Sequence, residues 1–121
     1  MIDHIGYEVS DLSRSARFYD AVLFALGARR IHASDRAVAY GIDWPALWLV
    51  VRDRRPEPGY GHLALRAAGR AAVDAAHAAG LAEGGTDDGS PSPRPAYGVR
   101  YYSGYLRDPD GLRVEVVTGS A

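Results

Sequence analysis

The feature that most constrains this chain is that it runs through one pattern twice. Residues 2–9 alternate, with Ile5, Tyr7 and Val9 on one face and His4, Gly6 and Glu8 on the other, which predicts a half-buried strand. Ser10 and Asp11 offer a helix N-cap, and Leu12, Ala16, Tyr19, Leu23 and Leu26 follow at helical spacing up to a stop at Gly27. Three short strands follow, over residues 28–34, 36–42 and 46–52, with a turn at Asp43-Trp44-Pro45. The succession then restarts: a strand over 60–66, an alanine-rich helix over 69–79 ending at Gly80, and strands over 81–86, 99–107 and 112–118. The proline-containing loop 87–96 and the turn Asp108-Pro109-Asp110-Gly111 punctuate this second half. Repeats of this kind bound the fold before anything else does. The predicted class is α+β: two βαβββ modules, about 1–52 and 60–118, joined by a linker at 53–59 within one domain of residues 1–121. Together they are expected to form a cupped mixed sheet with the helices outside.

Composition removes several function classes. A chain of 121 residues is long enough for one real core. The net charge of −1 gives no general pull toward nucleic acid or an anionic membrane. No apolar run approaches the length of a bilayer span. There is no cysteine, which excludes disulfides, thiolate zinc sites and a cysteine nucleophile. All 14 basic residues are arginine, so a lysine Schiff base is impossible. The start, Met1-Ile2-Asp3-His4, lacks the marks of a signal peptide, and a soluble bacterial cytoplasmic protein is the default expectation.

Four histidines are present. His32 and His77 read as partly exposed residues with little to do. His4 and His62 differ, because each stands early in the first strand of its half, on the face opposite the apolar set. A pseudo-two-fold axis brings such positions together. Glu115 is the third candidate: Val114 and Val116 should face the helices, which turns Glu115 to the other side with Arg113 and Val117. A carboxylate in a central strand needs a partner. An arginine salt bridge is one reading. The other is a metal site, since two imidazoles and a carboxylate match the facial triad that holds Fe(II), Mn(II) or similar ions with open positions.

The opening "DHIGYEVSDLSRSARFYDAVLFALG", the internal "GHLAL" and the ending "YYSGYLRDPDGLRVEVV" resemble the vicinal oxygen chelate superfamily. That group includes glyoxalase I, extradiol dioxygenases, fosfomycin resistance proteins and bleomycin resistance proteins, and the likeness covers essentially the whole chain. It implies metal ligands at His4, His62 and Glu115, with one divalent ion (Fe, Mn, Zn, Ni or Mg) per site. A fourth ligand, a glutamate on the last strand of the first half, is missing from Ala46-Leu47-Trp48-Leu49-Val50-Val51. That departure counts against glyoxalase I proper, whose proton transfer uses such a carboxylate and for which Glu115 alone is left. Tyr105, ten residues before Glu115, resembles the tyrosine beside the metal in extradiol dioxygenases; a packing aromatic is the alternative.

Parity puts Tyr101, Ser103 and Arg107 on the Tyr105 face. Trp48, Arg66, Tyr101 and Arg113 are the substrate-binding candidates, and Arg66 or Arg113 could instead pair with Glu8. The expected function is a metal-dependent enzyme acting on a small oxygen-rich molecule, by isomerisation, dioxygen-dependent cleavage or thiol addition. A metal-free binding protein of the bleomycin resistance type is the alternative. The resemblance also implies a homodimer in which the halves pair within one chain or across it.

Overall fold

The computed structural model describes residues 1–57 and 59–120. Pro58, in the expected linker, and Ala121 lie outside the described residues. The element order is β1 (Ile5–Glu8), α1 (Leu12–Ala25), β2 (Arg29–Ala33), β3 (Ala37–Gly41), β4 (Leu47–Val50), β5 (His62–Arg66), α2 (Arg70–Ala82), β6 (Thr86–Pro93), β7 (Tyr102–Arg107) and β8 (Arg113–Thr118). The expected α+β class with paired βαβββ modules is the one found. Within one chain, however, the strands form two four-stranded sheets and not one cupped sheet, and the helices pack on each other between them and not outside. Each module makes its own four-stranded mixed sheet, β1-β4-β3-β2 and β5-β8-β7-β6. In each, the first strand runs parallel to the last and stands at an edge.

The registers confirm the repeat residue by residue. Ile5 lies opposite Leu47 as Leu63 lies opposite Val114, and Gly6 faces Trp48 as Ala64 faces Glu115. Trp48 therefore occupies in module one the position that Glu115 occupies in module two.

Helix α1 begins where expected. Asp11 caps it by accepting from the Arg14 amide at 3.0 Å, and Gly27 follows its end with φ +82°. Tyr19 and Leu23 are buried as expected. The helix carries a second buried stripe that the spacing did not reveal, Phe18 and Val22, both 0% exposed. These side chains meet α2 at Gly80. A Cβ at Gly80 would stand 2.7 Å from Leu106 Cδ1, 2.9 Å from Val22 Cγ2 and 3.0 Å from Phe18 Cε2. Gly80 is thus the close-approach point between helices, not the expected stop; α2 continues to Ala82, and Gly84 turns the chain with φ +95°.

The two helices pack on each other, α1 covers β2, β3 and β4, and α2 covers β6, β7 and β8. One apolar cluster spans both modules, from Val9 and Leu49 to Leu106 and Val116. The helices are the layer the modules share. The sheet faces turned away from them, those bearing Glu8 and Trp48 in one module and His62 and Glu115 in the other, are therefore directed outward.

Two corrections concern the second module. Most of the expected loop 87–96 is strand, because β6 runs from Thr86 to Pro93 with register shifts on either side of Gly89. The preceding strand expected over 81–86 is not formed: α2 runs on to Ala82, a turn follows, and β6 begins only at Thr86. His4 also falls just ahead of β1 and not within it.

The turn between β7 and β8 ties the chain's ends together. Asp110 accepts from the Ser10 amide at 3.0 Å, from Arg14 at 3.0 Å, from the Ser15 hydroxyl at 3.4 Å and from the Ser10 hydroxyl. A carboxylate there also suits the positive end of α1. Asp108, whose carboxyl burial holds above the usual range, accepts from the Tyr19 hydroxyl at 2.7 Å. An Asp110→Ala variant is expected to lose about 2 kcal/mol, the scale of lost hydrogen bonds to a charged group. Urea denaturation should show a lower midpoint at an unchanged slope.

Candidate metal centre

β8 lies between β5 and β7, so its side chains are covered on both flanks. Val114 and Val116 point into the core at 0% exposure. Alternation turns Glu115 to the opposite face, where it sits beside Ala64 and Tyr105 and remains only 2% exposed. A carboxylate this buried must be satisfied. Its partners are not guanidinium groups. His62 Nε2 lies 3.0 Å from Oε2, and the Tyr101 hydroxyl donates to Oε1 at 2.6 Å. Burial, reinforced by that bond to Glu115, pushes the Tyr101 hydroxyl far above its usual range and keeps it a donor.

The arginine salt bridge expected as one reading of Glu115 is absent among the described residues. The alternative pairing of Arg66 or Arg113 with Glu8 fails as well: Glu8 takes Arg54 Nε at 2.9 Å, with Arg52 Nε at 4.0 Å. Arg113 instead donates from Nε to Asp88 at 2.8 Å, and Arg107 Nε stands 3.1 Å from the same carboxylate oxygen. Asp88 was hidden from the sequence because it sat in a stretch read as loop.

Tyr105 is 8% exposed and lies under the Arg113 guanidinium, 3.9 Å from its ring centre. The His62 ring is 6.2 Å away. Burial first, and then the Glu115 charge, raise its hydroxyl above the ordinary range. Register puts Arg66 on this face too, beside Val117; it is exposed and enters no ion pair among the described residues. His62, Glu115, Tyr101, Tyr105, Arg66 and Arg113 thus share one face of the second sheet.

His4 and Trp48 are not with them. Trp48 belongs to the first sheet, its ring 5.2 Å from that of His32. His4 is 55% exposed, and its Nδ1 lies 2.6 Å from the Asp3 carboxylate. Among the described residues no three His, Asp or Glu side chains cluster closely enough to hold a metal. One chain therefore brings together two of the three expected ligands. A cavity of about 400 Å³ lined by Tyr7, Glu8, Asp108 and Asp110 lies elsewhere and contains none of the expected site residues.

The dull reading of His77 is also corrected. It is 5% exposed and its Nε2 lies 3.0 Å from Asp87 and 3.1 Å from the Tyr105 carbonyl oxygen.

Residues 1–116 match the family model of the Glyoxalase/Bleomycin resistance protein/Dioxygenase superfamily. The chain belongs to this superfamily. Among solved structures it resembles a glyoxalase/bleomycin resistance protein from Albidiferax ferrireducens T118 at 34% identity and TM-score 0.84, covering 94% of this chain and 95% of that one. It is also similar to the fosfomycin resistance protein FosX from Mesorhizobium loti, at 25% identity and TM-score 0.72, over 98% and 92% of the two chains. A glyoxalase I mutant from Zea mays matches at 25% identity and TM-score 0.73, over 94% of this chain and 44% of that one. No curated protein sequence matches. Superfamily members often bind a divalent metal. By register the position on β4 equivalent to Glu115 on β8 is held by Trp48, which cannot ligate a metal.

Replacing Tyr101 with Phe strips one donor from a buried carboxylate. The expected loss is about 1.5–3 kcal/mol, the range for hydrogen bonds to charged groups. Chemical denaturation of the Tyr101→Phe variant beside the parent checks it.

Proposed function

We propose that this chain is a divalent-metal-dependent enzyme acting on a small oxygen-rich substrate, with a site assembled from two copies of the chain. His62 and Glu115 of one copy and His4 of the other would hold the ion, leaving positions open for a chelating substrate. The observation that carries the reading is the environment of Glu115. Arginines share its face, yet the buried carboxylate is held by an imidazole and a phenol. Both are neutral donors when the histidine is unprotonated, so they leave the carboxylate its negative charge for a cation. A purely structural carboxylate had a stronger partner at hand in a guanidinium.

A second copy is invoked because His4, just ahead of β1 of the first sheet, and His62, on β5 of the second, belong to different modules and are both open to solvent, with side chains 55% and 44% exposed. Among the described residues the outer edges of β1 and β5 are unpaired, and an open edge invites pairing with another strand. A homodimer with two equivalent sites follows from two-fold symmetry.

The donor set fits the ion chemically, with two nitrogens and one carboxylate. When bound, the ion supplies Lewis-acid stabilisation of negative charge developing on a chelated substrate oxygen. The chain's own residues do the rest. Tyr101 fixes the Glu115 carboxylate in one orientation. Tyr105, kept protonated, is placed to donate to a substrate oxygen or act as an acid. Glu115 is the nearest carboxylate for accepting a substrate proton. Arg113 and Arg66 give the face its affinity for electron-rich groups, and Trp48 of the second copy supplies an apolar wall. Among the described residues no helix is long and apolar enough to cross a membrane. A cytoplasmic location is part of this proposal.

One observation favours a second reading: no three-ligand cluster exists within one chain among the described residues. A metal-free binding protein of the bleomycin resistance type needs none. Metal analysis of protein purified without chelator separates the two. The metal reading expects close to one divalent ion per chain, lost in His62→Ala and weakened roughly 10–100-fold in Tyr101→Phe, the usual cost of removing a residue that orients a ligand. Protein that holds no metal, takes none up on reconstitution and binds ligands equally well in chelator would overturn it.

A further inference from the structure

A buried histidine behind the site has no part in the function proposed above. His77 sits on α2, on the side of the second sheet away from Glu115. Its Nε2 lies 3.0 Å from Asp87 Oδ1 and 3.1 Å from the carbonyl oxygen of Tyr105. Both neighbours are acceptors. The Asp87 carboxyl is held below its ordinary range, first by the Gly89 amide and further by the Ser90 hydroxyl and His77 itself. Nε2 must therefore carry a hydrogen, which the two oxygens share. The ring is also wedged against the strand: a Cβ at Gly104 would stand 3.1 Å from His77 Cδ2 and 2.9 Å from Pro91 Cγ.

What this tie holds is the irregular part of β6. The pairing of β6 with β7 shifts between Asp87 and Gly89 and again between Gly89 and Ser92, leaving Gly89 opposite Tyr105. Asp87 organises the kink by accepting from the Gly89 amide and the Ser90 hydroxyl, each at 3.2 Å. The next residue is Asp88, on which Arg113 and Arg107 converge at 2.8 and 3.1 Å. Arg113 in turn covers the Tyr105 ring at 3.9 Å.

We propose that His77 is a positioning residue for the open face: by joining the Tyr105 carbonyl to Asp87 it sets the β6 kink that delivers Asp88 to Arg113, and so fixes the Arg113–Tyr105 stack. The inference rests on the proposed function only in treating Tyr105 and Arg113 as site residues. Regular strands place side chains by alternation alone, whereas a doubly shifted strand has no such guarantee and needs an external brace. Supporting residues of this sort decide whether a site is held tightly enough to work.

The test reads geometry in metal-free protein by NMR. The Arg113 Nε–H resonance reports the Asp88 pair, and the Tyr105 ring protons report the stack. In His77→Phe, which keeps an aromatic ring and removes the donor, the Arg113 Nε–H should move toward the position of exposed arginines and exchange faster with water. The Tyr105 ring signals should shift with it. His77→Gln presents an amide donor near the same point and should restore the parent spectrum at both residues. A folded His77→Phe protein with unmoved Arg113 and Tyr105 signals overturns the proposal, and so does a His77→Gln spectrum as disturbed as that of His77→Phe. Should His77→Phe fail to fold, Asp87→Ala cuts the same tie from the strand side; the same shifts are expected, and their absence overturns the proposal equally. A chain that binds no metal leaves this result standing, and a metal-binding chain with unmoved signals loses this inference alone.

Discussion

The structure depends on one contact, the close approach of α1 and α2 at Gly80. Phe18 and Val22 press on a position where even a methyl group would meet three side chains at 2.7–3.0 Å. Because the helices spend their second apolar stripes on each other, they become a shared middle layer. Each sheet then packs one face on a helix and leaves the other open. The Asp108–Asp110 turn fastens this arrangement from the far end of the chain, reaching α1 through Ser10, Arg14, Ser15 and Tyr19. Two modules locked in this way present their histidine faces to the outside instead of to each other.

That arrangement explains why one chain brings together only two of the three proposed ligands. Glu115 and His62 meet because β5 and β8 are neighbours, which is a matter of topology within a module. His4 and His62 are equivalent by the repeat, yet equivalence brings residues together only when the modules pair through their open faces. The intrachain helix contact prevents that pairing within a chain, and in the function proposed above a second copy supplies it. Trp48 and Glu115, equivalent positions on β4 and β8, are separated for the same reason.

Much of this was legible in the sequence, and the parts that were not have physical causes. The period-two alternation of β5 and β8 put His62 and Glu115 on one face correctly, because a strand offers only two faces. The Asp11 cap and the stop at Gly27 carried their own chemistry. The turn Asp108-Pro109-Asp110-Gly111 was visible as a turn, but its side-chain partners lie some hundred positions away and left no local trace. Gly80 was misread because glycine serves both as a helix terminator and as a contact point, and only the partner Phe18 decides between them. Phe18 and Val22 themselves were the available signal: a second apolar stripe on α1, matched by an alanine-rich α2, describes two helices in close contact. The brace at His77 had no signal at all, since the β6 kink it supports interrupts the periodicity by which a strand is recognised.

The central claim is that the metal site takes His4 from one chain and His62 with Glu115 from another. Subunit mixing tests it most directly. His4→Ala and His62→Ala proteins are each expected to bind metal poorly. After co-refolding as a mixture, mixed dimers carry one intact site, so binding should return to about a quarter of the parent capacity if pairing in the two-fold dimer is random. No recovery in a mixture shown to contain mixed dimers would contradict the account, as would metal retained by a strictly monomeric chain.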